Sequence, residues 1–247
     1  MRVQVIGVGA VGSAQAYLCS QFGHEVIGVD PSRTSFDYAR MVKSPEIDVD
    51  LTFVCTPEAF VPSVVADIVD KNVKGLYIIK STVPSGTTAQ LMKKHNVHIC
   101  HNPEFLREET SFYDIMHPGA VVIGQCCETH SEILRSFYTP FGCPIIISRP
   151  TVTETVKLTL NSYLATLISF WNEINKVSGA LGISTREVAD IVKTDRRVSD
   201  YGTRFFGKPF GGKCLPKDLD QLIKVFQGLD TDSSMLEAIR DFNKTVK

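Results

Sequence analysis

The sequence lacks the features that mark secreted, membrane-spanning and nucleic-acid-binding proteins. Its seven cysteines are an odd number with no CxxC pair and no regular spacing, which argues against a disulfide framework and for reduced thiols in a cytosol. No apolar run approaches the length of a membrane span, and the first residues read as a strand entering a turn rather than as a signal peptide. The formal net charge is only -1, so bulk charge favours neither nucleic acid nor an anionic membrane as a partner. We therefore expect a cytoplasmic protein.

The composition that is present is typical of a globular protein. The chain has 247 residues, of which 43% are apolar and 21% charged, enough for one large or two modest domains. Strand and helix patterns alternate as far as Arg149-Pro150, which predicts a mostly parallel sheet with helices on both faces. The pattern beyond is helical. The predicted fold class is α/β, with a sheet domain over 1–150 and an all-helical domain over 151–247 built on a long central helix.

A glycine-rich turn directly follows the first predicted strand, Arg2–Ile6. In such a turn Gly7 allows the tight bend, Gly9 lets a pyrophosphate approach the backbone, and Gly12 lets the next helix pack closely on the strand. A second strand ends at Asp30. Strand, glycine turn, helix, strand and acid occur in the order of a dinucleotide-binding, Rossmann-like unit, so we favour that interpretation over a glycine turn without nucleotide.

The acidic residue also predicts which dinucleotide binds. Asp30 is expected to bind the adenosine ribose hydroxyls and to disfavour a 2′-phosphate. The predicted cofactor is therefore NAD rather than NADP, although Arg33 lies near enough in sequence to weaken the preference slightly.

Hydroxyl side chains follow two of the predicted strands. Thr56 comes after the strand over 50–55, and Ser81 and Thr82 come after the strand over 76–79. Ligands of open parallel sheets bind at the carboxyl ends of the strands, which predicts that these residues line the nicotinamide side. Turn capping is an equally good interpretation of each hydroxyl taken singly.

Two further patterns in the first half carry weaker predictions. His95, His98 and His101 recur every third residue, but positions three apart on a strand point to opposite faces. We therefore predict no metal site. Glu104 follows a proline in a loop, where a carboxylate is usually solvated.

The second half opens with a long helical pattern over 151–178. Lys157 and Asn161 are four residues apart in it and so share one face. A solvated lysine beside an incidental asparagine is about as good an interpretation as a functional pair. Ser184 begins a capping box, and 233–247 reads as the last helix.

The stretch FGGKCLPKD contains the thiol best suited to chemistry. Pro216 suits the first turn of a helix, which would put Cys214 at the helix N-terminus, where the dipole favours a thiolate. Lys213 and Lys217 add positive charge, and Lys217 and Asp218 can exchange protons. Taken alone, a buried cysteine at a helix entry is the more frequent arrangement.

The order of motifs resembles one enzyme family. The motifs GVGAVG, VCTP, KSTVPSGTT, NPEFLREE, KLTLNSYLA with ISFWNEI, and FGGKCLPKD together resemble the UDP-glucose/GDP-mannose dehydrogenase family from Met1 to Lys247. The resemblance implies a nucleotide-sugar substrate. It implies NAD-dependent, four-electron oxidation of the sugar's primary alcohol to a carboxylate, such as UDP-glucose to UDP-glucuronate.

By this resemblance Cys214 would capture the intermediate aldehyde as a thiohemiacetal, and a second oxidation would give a thioester that water hydrolyses. Lys157 and Asp218 would assist proton transfer and stabilise the oxyanion, with Asn161 binding it as well. Glu104 would act in the hydrolytic step.

The resemblance also implies wider binding sets. Thr82 would order water near the nicotinamide, Lys217 would contact the sugar, and Arg197 would reach the substrate of a partner subunit. The implied cofactor-binding residues are Gly7, Gly9, Val11, Gly12, Asp30, Thr56, Pro57, Ser81 and Thr82. The implied substrate-binding residues are Glu104, Phe105, Leu106, Lys157, Asn161, Arg197, Phe210, Gly211 and Lys217.

Several departures from the family pattern affect these expectations. Lys213 stands where a small residue is usual, Glu109 replaces a glycine, and the segment over 30–50 is short, so a strand and part of the adenine-side wall are expected to be missing. The family's C-terminal nucleotide-sugar domain has no counterpart in the sequence. Either a separate chain supplies that wall, or the substrate binds weakly, or the sequence is a fragment. The resemblance implies a homodimer formed through the 151–178 helix.

Two other functions remain open on the sequence. A two-electron dehydrogenase of the 3-hydroxyacid type could use Lys157 and Asn161 without Cys214. Alternatively, the chain could bind NAD without catalysis and serve a partner chain.

Overall fold

The computed structural model describes residues 1–246, which form one eight-stranded sheet and nine α-helices. The chain divides into two compact units, Met1–Lys157 and Leu158–Lys247. The strands are Arg2–Ile6 (β1), Glu25–Val29 (β2), Arg40–Val42 (β3), Leu51–Val54 (β4), Leu76–Ile79 (β5), Ile99–His101 (β6), Val121–Gly124 (β7) and Ile145–Ser148 (β8).

The sheet of the first unit has the strand order β3-β2-β1-β4-β5-β6-β7-β8. All neighbours are parallel except β6 and β7, which pair antiparallel through His101 and Gly124. The predicted α/β class with a mostly parallel sheet is confirmed. The carboxyl ends of β1, β4, β5 and β6 meet at one edge, where this class of sheet binds its ligands.

The strands are apolar on both faces because helices cover the sheet on both sides. In β5, Leu76 and Ile78 belong to one buried cluster, whereas Tyr77 and Ile79 belong to another. This alternation follows from the two-residue period of a strand. The near-continuous apolar runs in the sequence are therefore explained by two-sided burial.

The helices of the first unit connect these strands. They are Ala10–Gln21 (α1), Val61–Asp70 (α2), Thr87–His95 (α3), Ser111–Met116 (α4) and Glu128–Tyr138 (α5). Helix α4 and the edge strand β3 were not predicted, because six and three residues are too few for a hydrophobic period to emerge. The expectation that the short 30–50 segment lacks a strand was wrong, since β3 lies within it and pairs with β2.

The helices of the second half are Pro150–Leu181 (α6), Thr185–Val192 (α7), Cys214–Gly228 (α8) and Ser234–Asn243 (α9). With 32 residues, α6 is about 48 Å long at 1.5 Å per residue, and its first two turns belong to the first unit. The N-cap half of the predicted capping box is confirmed, because the Ser184 hydroxyl accepts a hydrogen bond from the Glu187 N–H. The last helix ends at Asn243 rather than at 247, and Lys247 lies outside the described residues.

The N-terminus of α3 is capped by a side chain from α6. The Glu154 carboxylate is fully buried and accepts hydrogen bonds from the Gly86 N–H at 2.6 Å, the Thr88 N–H at 2.8 Å and the Thr88 hydroxyl at 2.6 Å. Burial raises the pKa of Glu154, and these hydrogen bonds oppose that rise. The contact fastens the first turn of α6 to the sheet unit.

The state of the cysteines and the hydropathy of the helices both bear on the setting of the protein. None of the seven cysteines, all within the described part of the chain, forms a disulfide. Over the same residues, no helix combines the length and the hydropathy needed to cross a lipid bilayer.

A buried histidine joins β6 to α6. His101 is fully buried, its Nδ1 lies 2.7 Å from the Thr153 hydroxyl, and its Nε2 has no hydrogen-bond partner. Burial lowers the pKa of His101 to about 3, and the charges of Lys80 and Lys157 act in the same direction. His101 is therefore neutral in the folded protein near neutral pH.

This environment predicts a pH dependence of stability. A depressed histidine pKa makes the unfolded state bind more protons, so stability is present above the unfolded pKa near 6.5 and is lost as the pH falls. Between about pH 7 and pH 5, His101 should remove roughly 2 kcal/mol from the free energy of unfolding. Urea denaturation of the wild type and of His101→Gln, repeated across this pH range, measures how steeply the free energy of unfolding of each protein changes with pH. Equal slopes would contradict the prediction, because every other histidine is common to both proteins.

Candidate active site

In the glycine turn between β1 and α1, close packing leaves no room for a side chain at two of the three glycines. A Cβ on Gly12 would lie 1.8 Å from the Gly7 carbonyl oxygen, and a Cβ on Gly7 would lie 2.9 Å from the Cys55 carbonyl. Gly7 also has φ +88°, which favours glycine. By contrast, a Cβ on Gly9 would meet nothing within 4 Å. The open space at Gly9 is where a phosphate can approach the start of α1.

Asp30 lies at the end of β2 and faces this turn. One carboxylate oxygen accepts the Val8 N–H at 2.9 Å, and the other accepts the N–H and hydroxyl of Ser32 at 2.9 and 2.7 Å. Desolvation favours the neutral acid, but these hydrogen bonds outweigh it and hold the pKa of Asp30 below its usual value. Asp30 is therefore a carboxylate at neutral pH.

Arg33 also contacts the glycine turn. Its guanidinium donates to the Val8 carbonyl at 2.9 Å and to the Ser13 hydroxyl at 2.7 Å, and it lies 4.5 Å from the centre of the Phe36 ring. In this position the guanidinium is hydrogen-bonded to residues of the glycine turn and of the start of α1.

The hydroxyls at the ends of β4 and β5 have different environments. Ser81 donates to the carbonyls of Thr56 at 2.6 Å and Val54 at 3.2 Å, so it joins the two strand ends. The Thr56 hydroxyl is buried without a hydrogen-bond partner, a condition that costs free energy unless a ligand or water supplies one. Pro57 begins the turn after Thr56, and Thr82 is half-buried.

The loop after β6 contains a buried ion pair. Glu104 and Lys157 are 8% and 4% exposed, and a carboxylate oxygen lies 3.0 Å from the Lys157 Nζ. The other carboxylate oxygen accepts the Leu106 N–H at 2.7 Å, and the Phe105 ring centre lies 5.8 Å from Nζ. The expectation that Glu104 is solvated was wrong, and so was the alternative of a solvated Lys157. Each charge is buried because the other neutralises it.

A second buried cation lies at this edge and was not predicted from the sequence. Lys80, at the end of β5, donates to the Asn102 side-chain oxygen at 2.9 Å, and the Tyr138 hydroxyl donates to the same oxygen at 2.6 Å. Burial lowers the pKa of Lys80 and raises the pKa of Tyr138. The only indication in the sequence was that Lys80 directly follows the apolar run of β5, since lysine is ordinarily exposed.

The second unit holds another group of predicted site residues. Asp218 is 1% exposed and accepts hydrogen bonds from the Asn161 amide and the Lys217 ammonium, both at 2.5 Å. Asn161 is buried on α6 and Lys217 is half-exposed on α8. Tertiary structure thus brings together an amide, a carboxylate and an amine that come from two helices.

Cys214 is exposed and is the first residue of α8, as Pro216 predicted. The preceding loop is anchored by Phe210, which is buried and exchanges two backbone hydrogen bonds with the Asn243 side chain at 2.8 and 2.9 Å. Gly211 is exposed. The thiol therefore lies at a helix N-terminus, at the end of a loop that Phe210 anchors.

The predicted residues thus fall into separate sets. Glu104 and Lys157 pair in the first unit, and Asn161, Lys217 and Asp218 form one network in the second. Arg197 joins neither set: it is 89% exposed and bonds Asp195 two residues away. The half-buried Val11 lies in the first turn of α1.

The ion pair predicts a specific stability pattern. Lys157→Met should cost about 3–5 kcal/mol, because it leaves the Glu104 charge buried without a cation. Adding Glu104→Gln should restore most of that stability, since glutamine is neutral and still accepts the Leu106 N–H. Urea denaturation measures the free energy of unfolding of the single and the double variant. Lys93→Met, at an exposed lysine of α3, should change stability by less than about 0.5 kcal/mol. A double variant no more stable than Lys157→Met would contradict the pairing.

The glycine turn, the ionised Asp30 and the mostly parallel sheet define a dinucleotide-binding, Rossmann-like fold. Two family models match the chain. The NAD binding domain of the UDP-glucose/GDP-mannose dehydrogenase family matches residues 46–142, and the central domain of that family matches residues 151–245.

Individual proteins agree with these matches. GDP-mannose 6-dehydrogenase of Pseudomonas syringae pv. tomato is 32% identical over 298 residues, covering 98% of this chain and 68% of the relative. A UDP-glucose dehydrogenase structure from Pyrobaculum islandicum superposes with a TM-score of 0.89 at 26% identity, covering 98% of this chain and 68% of that one. The 3-hydroxyisobutyrate dehydrogenase of Mycobacterium tuberculosis has a TM-score of 0.82 at 17% identity, covering 98% and 92%, and shares the fold.

The chain belongs to the UDP-glucose/GDP-mannose dehydrogenase family, whose members are NAD-dependent nucleotide-sugar dehydrogenases. The cofactor is NAD, in agreement with the prediction from Asp30. The residues around the glycine turn fit this cofactor. Gly9 leaves room for the pyrophosphate, and the buried Thr56 hydroxyl offers an unused hydrogen-bonding group.

Proposed function

We propose that the protein oxidises the primary alcohol of a nucleotide sugar to a carboxylate, with two molecules of NAD reduced for each product. The observation that carries this proposal is the exposed Cys214 at the first residue of α8, four residues before the buried Asp218 on the same helix. A simple alcohol dehydrogenase has no use for a nucleophile, whereas a second oxidation of an aldehyde requires a tetrahedral adduct.

The cofactor, when bound, accepts the hydride in each of the two oxidations. The first oxidation gives an aldehyde, and the Cys214 thiolate adds to its carbon, so that a carbon–sulfur bond forms and the oxygen becomes an alkoxide. Loss of hydride from that carbon leaves a thioester. Water then attacks the thioester, the carbon–sulfur bond breaks, and the thiol and the carboxylate are released.

The other residues supply charge and proton transfer. The Lys157 ammonium stabilises the alkoxide, and the Glu104 carboxylate acts as general base for the hydrolytic water. Asp218 orients the Asn161 amide through the hydrogen bond it accepts, which leaves the second N–H of that amide for the substrate oxygen. Thr82 orders water, Lys217 contacts the sugar, and Arg197 reaches the substrate of the partner subunit.

The proposed substrates are taken from the same family. UDP-glucose, giving UDP-glucuronate, is the substrate we favour from the motifs. GDP-mannose is the second candidate, because GDP-mannose 6-dehydrogenases are among the most similar relatives. The chain spans 68% of the length of such a relative. Cys214 must stay reduced to act, which fits the absence of disulfides and a cytoplasmic location.

The decisive experiment measures NADH formed per product for the wild type with UDP-glucose and with GDP-mannose. We expect a ratio of about two for the true substrate, and no carboxylate product from Cys214→Ser, because a hydroxyl is a far weaker nucleophile than a thiolate. Cys143→Ser, at a half-buried cysteine outside the predicted site, should retain the full ratio.

Other results would support the rival functions. One NADH per product with an active Cys214→Ser variant would favour a two-electron dehydrogenase of the 3-hydroxyacid type, whose fold this chain shares. NAD binding without turnover on either nucleotide sugar would favour a non-catalytic domain that serves a partner chain.

We also infer that the protein forms a homodimer through α6. A row of large apolar side chains on this helix is exposed, and its spacing of three, four or seven residues keeps it on one face. The row consists of Val152, Val156, Leu160, Tyr163, Phe170 and Val177. An apolar stripe of this length on a single helix is typical of a surface covered by another chain.

The dimer is tested by charge substitution in this row. Tyr163→Glu combined with Phe170→Glu, at two side chains that are each 53% exposed, should convert a dimer of 27.3 kDa chains into monomers because two buried carboxylates would face the partner. Sedimentation equilibrium gives the mass. Lys93→Glu on α3 should leave it unchanged, and a monomeric wild type at micromolar concentration would refute the proposal.

A further inference from the structure

Four metal-ligating side chains outside the predicted active site lie together in the first unit. His98, Cys126, Cys127 and His130, here called the Cys2His2 group, have ligand atoms that all lie within 4.8 Å of one another. Among the described residues this is the one such group of His, Cys, Asp and Glu. This group was not predicted from the sequence, where His98 was compared only with His95 and His101.

The group comes together through the antiparallel pairing of β6 and β7. Because His101 pairs with Gly124, continuing the register backwards along β6 sets His98 opposite Cys127. Cys127 is also the N-cap of α5, and His130 lies in the first turn of that helix. The ligands therefore come from three short segments that the fold requires to be adjacent.

The distances match a tetrahedral metal site. With zinc–sulfur bonds near 2.3 Å and zinc–nitrogen bonds near 2.0–2.1 Å, a tetrahedron has sulfur–sulfur edges of about 3.8 Å and sulfur–nitrogen edges of about 3.5 Å. The Cys126 and Cys127 sulfurs are 4.0 Å apart, and the His130 Nδ1 lies 3.2 and 3.3 Å from them. The His98 and His130 rings are 5.0 Å apart between centres.

We propose that His98, Cys126, Cys127 and His130 bind one Zn²⁺ in a four-coordinate structural site. Two thiolates and two neutral imidazoles are a ligand set that selects zinc. The two thiolate charges balance the dication, so the filled site is neutral and can lie half-buried. His98 is exposed while the other three ligands are half-buried, which leaves a path from solvent for the ion.

The position of the group argues for a structural role. The glycine turn, Thr56 and Glu104 follow the carboxyl ends of their strands, whereas His98 precedes the amino end of β6. The Cys2His2 group thus lies toward the end of β6 that is opposite to the one followed by Glu104. Four protein ligands leave no open position for substrate. The ion would fasten the start of β6 to the start of α5.

One neighbouring thiol competes for a place in the ligand set. The Cys100 sulfur lies 3.6 Å from that of Cys126. Cys100 is fully buried on β6, whereas Cys127 and His130 are half-buried. We assign Cys100 to the wall of the site, because the four ligands already complete a tetrahedron without it.

The test titrates Co²⁺ into the whole chain after chelator treatment under reducing conditions. The wild type should bind about one Co²⁺ per chain, with the visible bands of tetrahedral cobalt and near-ultraviolet absorption from thiolate ligands, and Zn²⁺ should displace it. Cys127→Ser and His98→Asn should each weaken binding by more than about 100-fold, since changes outside the ligand shell alone cost 10- to 100-fold.

Matched variants separate ligands from other cysteines and histidines. Cys143→Ser and His117→Asn, at a half-buried thiol and an exposed imidazole outside the group, should keep the wild-type spectrum, and so should Cys100→Ala. Zn²⁺ should raise the melting temperature of the wild type but not of Cys127→Ser. A wild type without tetrahedral bands would overturn the proposal. So would a Cys127→Ser spectrum equal to the wild type, or loss of binding in Cys100→Ala with Cys127→Ser unaffected.

Discussion

The first two turns of α6 are held to the sheet unit by buried polar contacts, and the active-site residues of that unit depend on them. Glu154 caps α3, the Thr153 hydroxyl meets His101, and Lys157 pairs with Glu104. None of these groups can be removed singly without leaving a buried polar partner unsatisfied. The constraint therefore fixes where the lysine and the carboxylate lie before any substrate binds.

This arrangement suits the chemistry of the family. In the proposed mechanism, the buried ion pair supplies a cation and a base in a place with little water, where each acts more strongly on a developing charge. In the second unit Asp218 is held in the same manner by Asn161 and Lys217. Cys214, in contrast, is exposed at a helix N-terminus, as the nucleophile of the proposed mechanism must be to meet its substrate.

The antiparallel pair β6–β7 has two consequences at opposite edges of the sheet. After β6 the chain continues into the loop with Glu104, and before β6 lies His98 of the Cys2His2 group. Since β6 has only three residues, whatever fixes its start also limits the movement of the loop at its end. A bound metal ion would thus support the active-site edge without taking part in the reaction.

The sequence by itself determined the fold class, the cofactor and the family, because the glycine spacing, Asp30 and the motif around Cys214 are local patterns. It also predicted the start of α8 and the Ser184 cap from single residues. It could not predict that Glu104 and Lys157 are buried, because burial of a charge depends on a partner 53 positions away. It missed β3 and α4, which are too short to show a period, and the Cys2His2 group, in which only strand register brings His98 to Cys126, Cys127 and His130. Tertiary structure decided these because long-range pairing, rather than local propensity, sets which charges and ligands become neighbours.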